Sequence, residues 1–258
     1  MKIVALLVIS TLALGFYVFY IWYYQSVPQT GISLFKTVPN PKNTDTILVF
    51  SPHPDDETIA TGGYIKTATS NGAKVWVVLV TNGNKHHLEK VRYNEFATVT
   101  SALGVPESHL IYLNYPDGRL HKVNQKEVQN YFKNIIIFVH PSVVFIPSLN
   151  DRHTDHKTTG FDAESVISNS KFSINTYSYL VHFPNFPLPN DLNKYLYLTP
   201  PIKLLDFSKE WLSFPLTPGV EEAKYNALLK YKTQLIYPPL KELIESFVRR
   251  NELFEVNK

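Results

Sequence analysis

Apolar positions are unevenly spread along the 258 residues. Ile3 to Tyr24 form a 22-residue stretch without a charge, interrupted only by Ser10, Thr11 and Gly15. About 20 such residues span a bilayer as a helix. Phe16, Tyr17, Phe19, Tyr20, Trp22, Tyr23 and Tyr24 crowd its C-terminal end, where an aromatic belt lies at a membrane interface. A cleaved signal peptide needs a shorter apolar region and a small-residue cleavage site; the residues that follow are aromatic instead. Residues 1–24 are therefore expected to be an uncleaved anchor rather than a signal peptide or a buried core helix. Residues 25–45 hold Pro28, Pro39 and Pro41 and no clear period, and read as a linker.

From residue 46 to 258 the pattern changes to that of a folded domain. Short apolar runs at Thr46–Ser51, Lys74–Thr81, His109–Asn114, Ser142–Ser148 and Thr176–Val181 predict five strands, of the kind buried in parallel sheets. Between them, Thr58–Ser70, Leu88–Leu103, Gln125–Val139 and Asp155–Ser168 predict helices, with Asn71-Gly72 and Gly104 as stops. This alternation predicts an α/β fold: a Rossmann-like, mostly parallel sheet with helices on both faces, preceded by the transmembrane helix. Residues 184–218 are rich in Pro and aromatics and predict irregular chain, and Glu221–Lys232 and Leu240–Phe254 predict two amphipathic helices.

Composition narrows the chemistry. Lys and Arg number 25 against 22 Asp and Glu, a net charge of +3. That balance, without a basic run, excludes nucleic acid as a partner. Cysteine is absent, which excludes disulfides, thiolate zinc sites and cysteine nucleophiles. Any metal must be held by His and carboxylates. Lys2 before the anchor is nearly balanced by Lys36 and Lys42 beyond it. The short N-terminal flank favours an N-terminus inside and a single-pass, extracytoplasmic domain.

In a parallel sheet, ligands bind beyond the carboxyl ends of the strands. Ser51-Pro-His-Pro-Asp-Asp-Glu57 follows the first strand, Tyr115-Pro-Asp-Gly118 the third and Asn150-Asp-Arg-His-Thr-Asp-His156 the fourth. All three are expected to converge on one edge. Imidazole with carboxylate is a zinc-type ligand set. His53 and Asp56 are three apart and can share a face at a helix entrance. Acidic residues alone could simply offset a helix dipole, but that leaves a histidine between two prolines unexplained. His153 and His156 offer a third ligand, which leaves a position open for water. The adjacent pair His86-His87 diverges and reads as a solvated loop; His109, His121, His140 and His182 are expected to be structural.

These two loops resemble the H-P-D-D-E and H-x-D-H motifs of the PIG-L/LmbE family of metal-dependent de-N-acetylases. Gly62-Gly63, Thr81-Asn-Gly83, Arg92-x-x-Glu95, Leu103-Gly104 and Tyr231-x-Thr-Gln234 extend the resemblance over about Thr46 to Gln234. It implies hydrolysis of the N-acetyl group of an N-acetylglucosamine-containing glycan or glycolipid. His53, Asp56 and His156 would hold the metal, zinc in most members, with ferrous iron also suited to these donors. Asp55 would be the general base. His153 would polarise the acetyl carbonyl, Asp155 would orient a neighbouring histidine, Arg92 would contact substrate hydroxyls and Glu57 would support the metal site. Thr154 stands where the family commonly has Pro, and the loop from Asn82 to His87 departs from the family's versions. The alternatives are the membrane-anchored branch acting on N-acetylglucosaminylphosphatidylinositol and a non-catalytic, membrane-anchored glycan-binding protein.

Overall fold

The computed structural model describes residues 2–84, 87–170 and 172–257; His86 of the histidine pair lies outside them. The chain begins with helix α1 (Lys2–Tyr23). Its span from Val4 to Tyr23 has a mean hydropathy of 2.3 and no residue buried against protein, so by length and composition it can cross a membrane.

The domain alternates β2 (Thr46–Ser51), α2 (Asp56–Ser70), β3 (Lys74–Thr81), α3 (Glu89–Ala102), β4 (Leu110–Tyr115), α4 (Gln125–Val139), β5 (Val143–Pro147), α5 (Thr154–Ser168) and β6 (Asn175–Tyr179). All five strands pair in parallel, in the spatial order β6-β5-β2-β3-β4. Their side chains alternate between two cores, as the two-residue period of a strand requires. Ile47, Val49, Val77 and Phe145 pack with α2 and α3 residues such as Ile65 and Phe96. Leu48, Phe50, Val78 and Val144 pack with α4 and α5 residues such as Phe132 and Ala163. Both faces are covered, as the alternation of strands and helices predicts.

Three expectations are corrected. Residues 25–45 are not free linker: β1 (Lys36–Thr37) joins the sheet edge and Val38 is buried in the core. The irregular stretch 184–218 contains β7 (Lys209–Pro215). Leu240–Phe254 is not one helix: after α6 (Pro218–Leu228) and the short α7 (Lys232–Leu235), α8 (Pro238–Ser246) stops at Ser246, and β8 (Asn251–Asn257) runs antiparallel between β6 and β7. Two buried glutamates hide β8 from a hydropathy pattern. Glu252 accepts from the N–H groups of Gly63 and Tyr64 and from Lys224 Nζ. Glu255 pairs with Lys209 Nζ and Ser148 Oγ. Buried carboxylates persist only with such partners, and these partners lie 28 to 189 and 46 to 107 residues away.

Between β5 and β6, α5 crosses close to its own strand. A Cβ on Gly160 would meet the Pro147 carbonyl oxygen at 2.2 Å, and backbone cannot yield as a side-chain tip can. Gly160→Ala is expected to destabilise the domain by about 1–3 kcal/mol by overpacking, read as a lowered thermal midpoint. Because α5 carries His156, metal affinity is expected to fall with it.

Candidate active site

The connections from β2 and β5, which are neighbours, run to opposite sides of the sheet. Such a switch point opens a crevice beyond the strand ends, and both motif loops meet in it. Ser51 ends β2, and Asp56 starts α2 four residues after Pro52. Between them Asp55 has φ 136°, a region that strains any residue with a Cβ. Buried Glu57 clamps this turn. Its Oε2 accepts from Ser51 Oγ at 3.0 Å and Asp55 N–H at 3.3 Å, and its Oε1 accepts from Thr58 Oγ1 at 2.6 Å and Tyr231 O–H at 2.5 Å. Glu57 therefore supports the loop backbone. Tyr231→Phe removes a donor from a buried carboxylate, and a loss of about 1.5–3 kcal/mol is expected; urea denaturation measures it.

Asp56 Oδ2 lies 3.1 Å from His53 Nδ1 and 3.0 Å from His156 Nε2. Metal–ligand bonds near 2.0–2.1 Å place neighbouring tetrahedral donors about 3.3 Å apart, so each of these two contacts has the spacing of a pair of neighbouring ligands. Three sets of donor atoms each lie within 4.8 Å of one another: those of His53, His153 and His156, of Asp56, His156 and His182, and of His53, Asp117 and Asp155. The two His156 nitrogens sit close to Asp56 and Asp151, 3.0 and 3.1 Å away, but without hydrogen-bond alignment. A buried ring nitrogen with no aligned partner fits a metal ligand.

The charges agree with this. Burial disfavours a charged Asp56, yet His156 and His53 hold its carboxyl well below the usual range. Burial also opposes charge on His156, but Asp151 and Asp56 raise it to about 9. His53 is raised well above an ordinary histidine, because Asp117, Asp155 and Asp56 outweigh its burial. Two imidazolium charges thus gather around Asp56, where a divalent cation would supply the same charge.

Asp55 does not share this contact. Burial and the neighbouring Asp56 push it up to about 8, against Arg92 and His53. Asp155 accepts from the N–H groups of Gly118 and Leu120, and its Oδ2 lies 3.2 Å from His53 Nε2; the histidine it backs is His53. His153 caps α5, and its Nδ1 accepts from Asp155 N–H at 3.3 Å. Burial, then His53 and His156, lower its pKa. The neutral ring with Nδ1 as acceptor carries its proton on Nε2, ready to donate.

Arg92 is buried. Its Nη1 donates to Gly83 O at 3.1 Å and its Nη2 to Pro54 O at 3.0 Å, with Asp55 and Asp117 each 3.6 Å away. Much of its hydrogen-bonding capacity thus holds two loops together.

All eight residues given a role in the sequence meet here, together with three given none there. Asp117 Oδ1 lies 3.3 Å from His53 Nε2. Asp151 accepts from the N–H groups of His153, Val181 and His182. His182, expected to be structural, lines the cleft with its ring 4.7 Å from that of His156; burial and His156 push its pKa down to about 4. Asp117 and His182 follow β4 and β6 directly, so the strand-end rule that located the motif loops reaches them too. The cleft, about 130 Å³, has an apolar wall of Leu240, Leu243 and Ile244 from α8. A lobe of about 540 Å³ adjoins it at Asp117 and His153, lined by Asn82, Asn84, His87 and Arg119.

A parallel sheet with a His–Asp metal-type cluster at its switch point defines a class of α/β protein. Residues 48–167 match the family model described as PIG-L: GlcNAc-PI de-N-acetylase. Over 127 residues the chain is 31% identical to the diacetylchitobiose deacetylase of Thermococcus kodakarensis, covering 45% of this chain and 46% of that protein. Over 128 residues it is 29% identical to a probable N-acetyl-alpha-D-glucosaminyl L-malate deacetylase 2 of Bacillus cereus, covering 44% and 57%. The matches thus span about half the length of these relatives. The N,N'-diacetylchitobiose deacetylase from Pyrococcus horikoshii shares the fold, with a TM-score of 0.59 at 24% identity over 81% of this chain and 78% of that one.

Proposed function

We propose that this protein hydrolyses the N-acetyl group of an N-acetylglucosamine-containing glycan or glycolipid, with zinc or another divalent metal held by His53, Asp56 and His156. The observation that carries this reading is the pairing of a metal-type corner with a neighbouring carboxylate, Asp55, that stays outside it. Relatives named as deacetylases of diacetylchitobiose and of a glucosaminyl malate support it.

When bound, the metal supplies Lewis acidity, lowering the pKa of water towards about 7 and stabilising charge on the amide oxygen. Asp55 takes the proton as water attacks the acetyl carbon. His153 donates Nε2–H to the oxygen on which negative charge develops. Asp55 then returns its proton to the departing nitrogen, and the C–N bond breaks to give the free amine and acetic acid, whose remaining proton passes to the amine as acetate and ammonium leave. Asp155 holds His53 in orientation. Arg92 fixes the loop on which Asp55 sits and contacts substrate hydroxyls. The polar lobe beside His153 suits the hydroxyls of the glycan.

Helix α1 serves as a single-pass membrane anchor, with the domain on the extracytoplasmic face. A second reading, deacetylation of N-acetylglucosaminylphosphatidylinositol, is favoured by the description of the matching family model together with α1. Acetate release from lipid-linked, polymeric and small N-acetylglucosamine substrates, with and without chelator, tests both. Chelator-sensitive release is expected. Release from the phosphatidylinositol substrate alone would select the second reading, and a protein that neither binds metal nor releases acetate would leave only glycan binding.

A further inference from the structure

Helix α1 runs directly into the domain. Tyr24, one residue beyond it, packs its ring 5.7 Å from that of Phe183, and Arg152 donates to its hydroxyl at 3.4 Å. Ile202 N–H donates to Gln25 O at 2.9 Å, Ser26 pairs with Pro201, and Val27 N–H donates to Pro200 O at 2.9 Å. The Lys203 ammonium lies 4.2 Å from the ring centre of Tyr23 and 4.9 Å from that of Tyr24. The loop from Pro200 to Phe207 is therefore strapped to the last turn of α1.

That joint fixes the height of the loop. The 22 residues of α1 extend about 33 Å at 1.5 Å per residue, which matches a hydrocarbon core of about 30 Å. Its aromatic last turn then lies at the headgroup boundary, and so does whatever is strapped to it. The loop carries the side chains such a position favours. Ile202, Leu205 and Phe207 are 39%, 46% and 99% exposed. Asp206 folds back to accept from the N–H groups of Ser208 and Lys209 at 2.7 and 3.0 Å, leaving Phe207 at the tip of the turn. Lys203 between them is suited to anionic headgroups.

We propose that the loop Pro200–Phe207 is a second membrane contact, which seats Ile202, Leu205 and Phe207 in the interfacial layer of the bilayer beside the end of α1. This rests on the reading of α1 as a membrane span. The loop makes the domain a fixed body on the membrane, held by helix and loop together.

The cysteine-free chain permits single-site labelling of the full-length protein. Phe207→Cys, Leu12→Cys in α1 and Phe138→Cys, 68% exposed on α4, would each carry an environment-sensitive fluorophore. The proteins would be reconstituted in phosphatidylethanolamine–phosphatidylglycerol vesicles with and without doxyl-labelled lipid. Blue-shifted emission and several-fold stronger quenching are expected at positions 207 and 12 than at 138. A probe at 207 that behaves like the one at 138, with position 12 quenched, overturns the loop contact and leaves the anchor standing. If position 12 is also unquenched, the anchor and the loop contact fall together. Acetate release by the same vesicles is measured separately, so either failure is distinct from failure of the deacetylase reading.

Discussion

An Asp55→Asn variant is expected to keep its metal and lose about 100- to 10,000-fold in turnover, the range for removing a general base. The amide matches the carboxylate in shape and leaves the donors His53, Asp56 and His156 in place. Stability is expected to hold or rise, because burial and Asp56 already work against charge on Asp55. Calorimetric zinc titration and acetate release should therefore separate cleanly. Deacetylation within a few-fold of the parent would remove Asp55 from the proposed mechanism.

His156→Ala is expected to act on both metal and fold. The ring lies between Asp56 and Asp151, all three essentially inaccessible to solvent. Its removal deletes a ligand and strands two buried carboxylates. Breaking a buried pair in this way costs about 3–5 kcal/mol, on the order of 10 °C in thermal midpoint for a domain of this size. Zinc affinity, measured by chelator competition, should fall by more than the ~10–100-fold seen for residues that only back a ligand. A variant that unfolds at the parental temperature and retains zinc would show that the metal is held elsewhere.

The parallel half of the fold was legible because β2 to β5 are short apolar runs bounded by polar turns, and β6 follows in the same alternation with its tyrosines turned into the core. The half that was not legible depends on distant partners. In β8, Glu252 and Glu255 are buried only because Lys224 and Lys209 reach them, a pairing no local window contains. The two residues of β1 are exposed and carry no hydrophobic signal. At the site, His53, Asp55 and Asp56 were legible as a group because one turn holds them, and His153, Asp155 and His156 because one helix start does. Asp151 was not, because its role is to bind N–H groups from two segments that meet only in the folded chain. Tyr231 and Glu57 lie 174 residues apart, so each could be noticed in the sequence, but not as one contact.

The backbone at Asp55 sets stability against chemistry at a single position. Its φ of 136° is a conformation that glycine adopts freely and other residues occupy at a cost of about 1–3 kcal/mol. Asp55→Gly would relieve both that strain and the burial of a carboxyl group. A selection for thermal resistance alone would therefore enrich glycine here, and its hardiest survivors would be inert. Stabilising this domain for use as a catalyst requires residue 55 to be held out of the search.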